Sequence, residues 1–98
     1  MKRAIIIRPE AERDIAEAHG WYQSKAPGLG ADFLLSVDTA LSSIQQNPQR
    51  YAAVHRRLRR ALTGRFPYGI FYVVEEARIV VIAVIHASRD PETWRRRI

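Results

Sequence analysis

Hydrophobic positions along the chain change period near its midpoint. Ala4-Ile5-Ile6-Ile7 is a short apolar, β-branched run that Arg8-Pro9 closes, which predicts a strand. Proline suits the first turn of a helix, and Glu10, Glu12 and Asp14 suit the positive end of its dipole. Ala11, Ile15, Ala18 and Tyr22 then recur at helical spacing, until Pro27-Gly28 ends the pattern. Phe33, Leu34, Val37, Leu41 and Ile44 form a second helical stripe, which stops at Asn47-Pro48. Two antiparallel helices joined by a short glycine loop make a helical hairpin.

Beyond residue 50 the pattern becomes that of strands. Leu58 to Phe66 alternates loosely, Tyr68 to Val74 is aromatic and β-branched, and Arg78 to His86 is almost all Val and Ile. Glu75-Glu76-Ala77 is a tight connection between the last two. The third run is apolar on both faces and predicts a central strand. In the second, Tyr68, Ile70, Tyr72 and Val74 share one face. The order βααβββ predicts an α+β domain with the helical hairpin packed on an antiparallel β-sheet. Residues 1–98 read as one domain without linker or repeat.

Composition narrows the function classes. With 47% hydrophobic residues the chain can build a core, which excludes an intrinsically disordered protein. The absence of cysteine excludes disulfide scaffolds, thiolate metal sites and a cysteine nucleophile. The opening residues are too short an apolar run for a secretory signal, and no run reaches a membrane span of about 18 residues. A cytoplasmic protein with no membrane partner is expected.

Charge adds a direction. The net charge is +6, and arginine supplies most of the sixteen basic residues. Residues 1–49 carry a net of −1, and residues 50–98 a net of +7. The arginine fork suits phosphates and carboxylates, so the second half predicts a surface for an anionic partner, nucleic acid or an acidic protein segment. In Arg56-Arg57-Leu58-Arg59-Arg60, strand period puts Arg56, Leu58 and Arg60 on one face and Arg57 with Arg59 on the other. Such charges serve equally to bind phosphate or to protect an edge strand.

A meander brings Arg65, Tyr68, His86 and Arg89 to one end of the sheet. It leaves His55 at the other, about 25 Å from His86, so the two histidines cannot act as an acid–base pair. Metal-independent RNA cleavage needs proton-transfer groups and cations that hold the phosphate. His86 could transfer a proton, with Arg65 and Arg89 on the phosphate. Equally, His86 could hydrogen-bond the backbone and fix the turn into the tail. His19 falls in the first helix, where a surface or interhelical role is expected. No spacing of histidines and carboxylates suits a metal, and no phosphate loop or serine triad is present, so no cofactor is expected. In the tail, Trp94 could stack on a base, or pack back on the domain while Arg95, Arg96 and Arg97 project from it.

Taken together these residues resemble a known family. Arg65-Phe66-Pro67-Tyr68-Gly69-Ile70-Phe71-Tyr72, the run Ile79 to Val84, and His86 with Arg89-Asp90-Pro91 and Trp94 resemble the RelE/ParE superfamily of bacterial toxins. The Phe-Pro-Tyr-x-Ile-x-Tyr and Ala-Val-x-His-x-x-Arg-x-Pro-x-x-Trp strings are similar to its ParE-type, plasmid-stabilisation branch. The opening strand, the Pro-x-Ala-x-x-Asp string, the Trp21-Tyr22 pair and the closing Asn-Pro match as well, so the resemblance spans essentially the whole chain.

The resemblance implies the toxin of a type II toxin–antitoxin pair, bound by a cognate antitoxin in a hetero-oligomer. ParE-like members poison DNA gyrase. RelE-like members cleave mRNA on the ribosome, which is the alternative here. The chain has no lysine on its strands and one well-placed histidine, a departure from the nucleases that favours the ParE-type, non-enzymatic reading. Arg57, Arg59, Arg60, Tyr68, Trp94, Arg95, Arg96 and Arg97 are the residues expected to meet the antitoxin or target. His86, Arg65 and Arg89 are catalytic only if the chain is a nuclease.

Overall fold

The computed structural model describes residues 2–98. The elements run β1 (Ala4–Ile7), α1 (Pro9–Lys25), α2 (Leu29–Gln46), β2 (Ala53–His55), β3 (Leu58–Leu62), β4 (Tyr68–Val74), β5 (Arg78–His86) and α3 (Glu92–Arg95). Two long helices pack on a five-stranded sheet of order β1-β5-β4-β3-β2. The α+β architecture with a helical hairpin on a sheet is as the sequence predicts.

The sheet is mixed rather than wholly antiparallel. β1 lies parallel to β5, in register from Ala4 opposite Arg78 to Ile7 opposite Val81, while the other pairings are antiparallel. A parallel pair needs a long crossover, and everything from α1 to β4 serves as one here. Two further small elements exceed the expected order: β2, three residues long, and the one-turn α3. The first meander strand ends at Leu62, not Phe66. Residues 63–67 are a loop in which the Thr63 hydroxyl donates to the carbonyl of Phe66.

The hairpin turn depends on two glycines. Gly28 takes a left-handed conformation at φ 85°, which a side chain would strain. A Cβ on Gly30 would lie 2.8 Å from Cδ2 of His19, so the helices meet closely there. The Gly30 N–H donates to Oε1 of Gln23 at 3.1 Å, which satisfies one free amide at the start of α2. His19 therefore has an interhelical role.

Two apolar layers flank the sheet. On the helix side Tyr22, Phe33, Phe66 and Tyr68 form an aromatic cluster, with centroid separations from 4.7 to 6.1 Å. Tyr68, Ile70, Tyr72 and Val74 all face this side, as their alternation predicts; Leu34 of the second helical stripe stays exposed. On the other side Leu58, Phe71, Val73, Val80, Ile82 and Ile85 gather under Trp94. A bulge shapes the division. Phe71 opposes Ala83 and Tyr72 opposes Val81, so Ile82 is the extra residue of β5. Ile79 and Val81 point to the helices before it, and Val84 after it.

Candidate functional site

The register places Tyr68 directly opposite His86, with ring centroids 5.3 Å apart. Both line a cleft of about 640 Å³ between α1 and the outer end of β5. Arg89 joins them there from the following turn, while Trp21, Tyr22 and Arg13 of α1 form the opposite wall. Burial pushes the Tyr68 phenol above its usual range, and the Arg89 charge opposes that shift. The phenol therefore keeps its proton at neutral pH.

Arg65 does not join this group. Its guanidinium turns to α2 and lies 3.1 Å from the Asp32 carboxylate, 5.2 Å above the Phe66 ring. The cause is the loop at residues 63–67, which swings Arg65 out of the strand where alternation had placed it. Three of the four side chains expected at this end of the sheet are thus together, and one is not.

Local geometry constrains His86 further. Its Nδ1 accepts the backbone N–H of Ser88 at 3.1 Å, and the Ser88 hydroxyl lies 2.8 Å away. An N–H donated to Nδ1 selects the neutral tautomer that carries its proton on Nε2. The turn-fixing reading of His86 is realised, with a backbone N–H rather than a carbonyl as partner. His55 sits 6.4 Å from the Trp94 ring, on the sheet's other face.

The arginines of the second half divide between free and occupied. Arg56 and Arg57 form the turn between β2 and β3, with Arg56 at φ 53°. Leu58 and Arg60 share the face away from the helices, and Arg59 lies opposite, as expected of a strand. Arg57 does not pair with Arg59 in orientation, because it precedes the strand. It lies beside Val73, Val80 and Ile82, with Arg8 nearby. Arg59 is occupied: its guanidinium donates to the carbonyls of Tyr51 and Gln49. Arg57, Arg60 and Arg96 are exposed and make no ion pair among the described residues.

Trp94 packs back on the domain. It is buried and stacks on Phe71 at 4.7 Å between centroids and 23° between planes. Arg95 stays exposed and lies 5.4 Å over the Trp94 ring. Arg97 departs from the expected projecting tail. It returns to the body as a two-point ion pair with Asp14, at 2.6 and 3.1 Å. The sequence offered Asp14 as a helix-end charge and as the last residue of the Pro-x-Ala-x-x-Asp string, not as a partner for the tail. Its spacing after Ala11 and before Ala18 places a carboxylate on the buried stripe of α1, and that was the available signal.

Among the described residues, no three histidine, aspartate or glutamate side chains come together as a metal site. No helix there is long and apolar enough to cross a membrane. The site is a basic and aromatic surface beside the mixed-charge cleft that holds Tyr68 and His86.

Comparison with known proteins agrees with this geometry. Residues 5–91 match the family described as the ParE toxin of the type II toxin–antitoxin system, parDE. The chain is 27% identical over 92 residues to Toxin ParE2 of Mycobacterium tuberculosis, in strains CDC 1551 and H37Rv, covering 93% of this chain and 88% of that one. The fold matches a structure described as the chromosomal ParDE TA system from P. aeruginosa with a TM-score of 0.78, at 13% identity, over 88% of this chain and 97% of the other. With the family match spanning residues 5–91 of the 98, this protein belongs to the ParE toxins of type II toxin–antitoxin systems.

Proposed function

We propose that the chain arrests growth by binding DNA gyrase in the cytoplasm, without chemistry of its own, and that a cognate antitoxin neutralises it. The observation that carries the non-enzymatic reading is the state of the His86 cluster. Nδ1 of His86 is taken by the Ser88 N–H, and Arg65 is held by Asp32. A metal-independent ribonuclease needs a base and phosphate-holding cations converging on one point, and the nuclease trio does not converge. The family match supports gyrase over the ribosome as the target.

The antitoxin reading rests on the family match and on charge. The solved relative from P. aeruginosa is described as a ParDE toxin–antitoxin system. Here the exposed arginines Arg57, Arg60, Arg95 and Arg96 offer an acidic, partly disordered segment a cationic surface that it can fold upon. Rim charges act mainly through the association rate, so binding should slow steeply as salt rises.

The test is inducible expression in cells, alone and together with the small open reading frame beside the gene. The proposal expects growth arrest with gyrase–DNA cleavage complexes, and rescue with a co-purifying complex on co-expression. Arrest accompanied instead by mapped cuts in mRNA would establish the RelE-like endoribonuclease reading.

A further inference from the structure

The outer edge of β5 is only half covered. β1 pairs with it as far as Ile7 opposite Val81, and the Arg8 N–H then donates to the Val81 carbonyl at 3.1 Å. Beyond that point the chain has turned into α1. The bulge at Ile82 also shifts the phase of β5, so that Ile82 and Val84 direct their backbone groups to this unpartnered side. A strand edge of this kind is a template for pairing with another chain.

Two side chains take the place of the missing strand. The Val84 N–H donates to Oδ2 of Asp14 at 3.0 Å. Nη1 of Arg97 donates to the Ile82 carbonyl at 3.2 Å, and the same guanidinium grips both carboxylate oxygens of Asp14. The pair is well shielded, with side-chain exposures of 24% for Arg97 and 14% for Asp14. The other three ion pairs are much more exposed. Arg97 and Asp14 also form part of the wall of the cleft that holds Tyr68 and His86.

We propose that Asp14 and Arg97 form a latch that closes the C-terminal tail over the free edge of β5. Closed, it satisfies the strand's outward N–H and carbonyl and fixes one wall of the cleft. Open, it frees residues 95–98, bares the Ile82 carbonyl, leaves the Val84 N–H to Asp14 alone and widens the cleft. Any extended segment that pairs with this edge must take the Ile82 carbonyl from Arg97 and the Val84 N–H from Asp14. Edge pairing and tail closure are therefore mutually exclusive.

Two readouts separate the halves of the latch. Trypsin cleavage after Arg95 or Arg96, followed by intact mass, reports the tail. Hydrogen exchange at the Val84 amide reports the edge, with the Ile85 amide, which faces β4, as the reference for global opening. Asp14→Asn keeps an oxygen for the Val84 N–H and loses the charge that holds Arg97. It should speed tail cleavage about tenfold, the worth of one charge-assisted hydrogen bond, with Val84 nearly as protected as in the parent. Asp14→Ala should speed both, raising Val84 exchange about tenfold relative to Ile85. Arg97→Lys keeps the charge, loses the fork and should fall between the parent and Asp14→Asn. If Asp14→Ala fails to fold, Asp14→Asn and Arg97→Lys still read tail cleavage. Parental tail cleavage in Asp14→Asn, or unchanged Val84 exchange in a folded Asp14→Ala, would overturn the latch.

Discussion

Trp94 lies flat on Phe71, with ring centroids 4.7 Å apart and planes inclined by only 23°. Twenty-two residues of chain separate the pair, so this contact ties the tail to the sheet's outer face. Asp90 helps by accepting the Glu92 N–H at 2.9 Å, which sets the turn that delivers the indole. Trp94→Ala should cost about 3–5 kcal/mol, because it removes a buried aromatic that stacks on Phe71 in the outer apolar layer. Urea denaturation of the two proteins measures this directly. A loss below about 1 kcal/mol would mean the layer closes over the gap.

Truncation after Trp94 should also destabilise the domain. A projecting arginine tail would be dispensable, but Arg97 grips Asp14 and the Ile82 carbonyl. Removing residues 95–98 takes the guanidinium from Asp14 and leaves its carboxylate to the Val84 N–H. The expected loss is about 1–3 kcal/mol. Thermal melting of the truncated chain should show a clear downward shift, and an unchanged midpoint would make the tail a solubilising end.

Much of this fold is legible in the sequence, and the failures share a cause. Ala11, Ile15, Ala18 and Tyr22 announced α1, and Tyr68 to Val74 announced both β4 and the face it buries. What stayed hidden depends on contacts distant in sequence. Nothing local in Ala4-Ile5-Ile6-Ile7 says that its partner is Arg78 to Val81, or that the pairing is parallel. The bulge at Ile82 is masked because Val and Ile suit either face, so shifting the phase leaves no polar residue out of place. In the site, the gathering of Tyr68, His86 and Arg89 at one end of the sheet followed from the meander, and the structure adds that Tyr68 lies opposite His86. Arg65 was misplaced because strand alternation was carried into residues 63–67, where the chain is a loop. Arg97 escaped because a terminal arginine and a carboxylate in the first helix carry no mark of each other.

Tyr72 should give the protein an alkaline limit. Its hydroxyl donates to the Pro48 carbonyl at 2.6 Å, and burial pushes its pKa up to about 12, a shift that nearby Arg59 partly opposes. The folded state thus prefers the protonated phenol more strongly than the unfolded chain does. That contribution is complete below the ordinary tyrosine value of 10.0 and is lost as pH rises toward about 12. Tyr72→Phe should lower stability by about 1–3 kcal/mol at neutral pH, since the buried Pro48 carbonyl loses its donor. It should also flatten the decline in alkali. Equal slopes for the two proteins in denaturant titrations from about pH 9 to about pH 12 would contradict this assignment.

His86→Gln should leave growth inhibition largely intact. A general acid or base supplies about 10²–10⁴-fold in rate, so a nuclease that used this imidazole would lose its toxicity. The glutamine carbonyl can instead reach the Ser88 N–H and preserve the turn. Inducible expression of folded parent and variant at matched levels decides the matter. Loss of arrest would return His86 to the centre of the mechanism.

The most direct test is a supercoiling assay with purified gyrase, relaxed plasmid, ATP and this protein, with no ribosome present. The account predicts dose-dependent loss of supercoiling and accumulation of protein-linked double-strand breaks, both abolished by prior addition of the cognate antitoxin. Full supercoiling with the toxin in excess, together with mRNA cleavage when ribosomes are supplied, would contradict it.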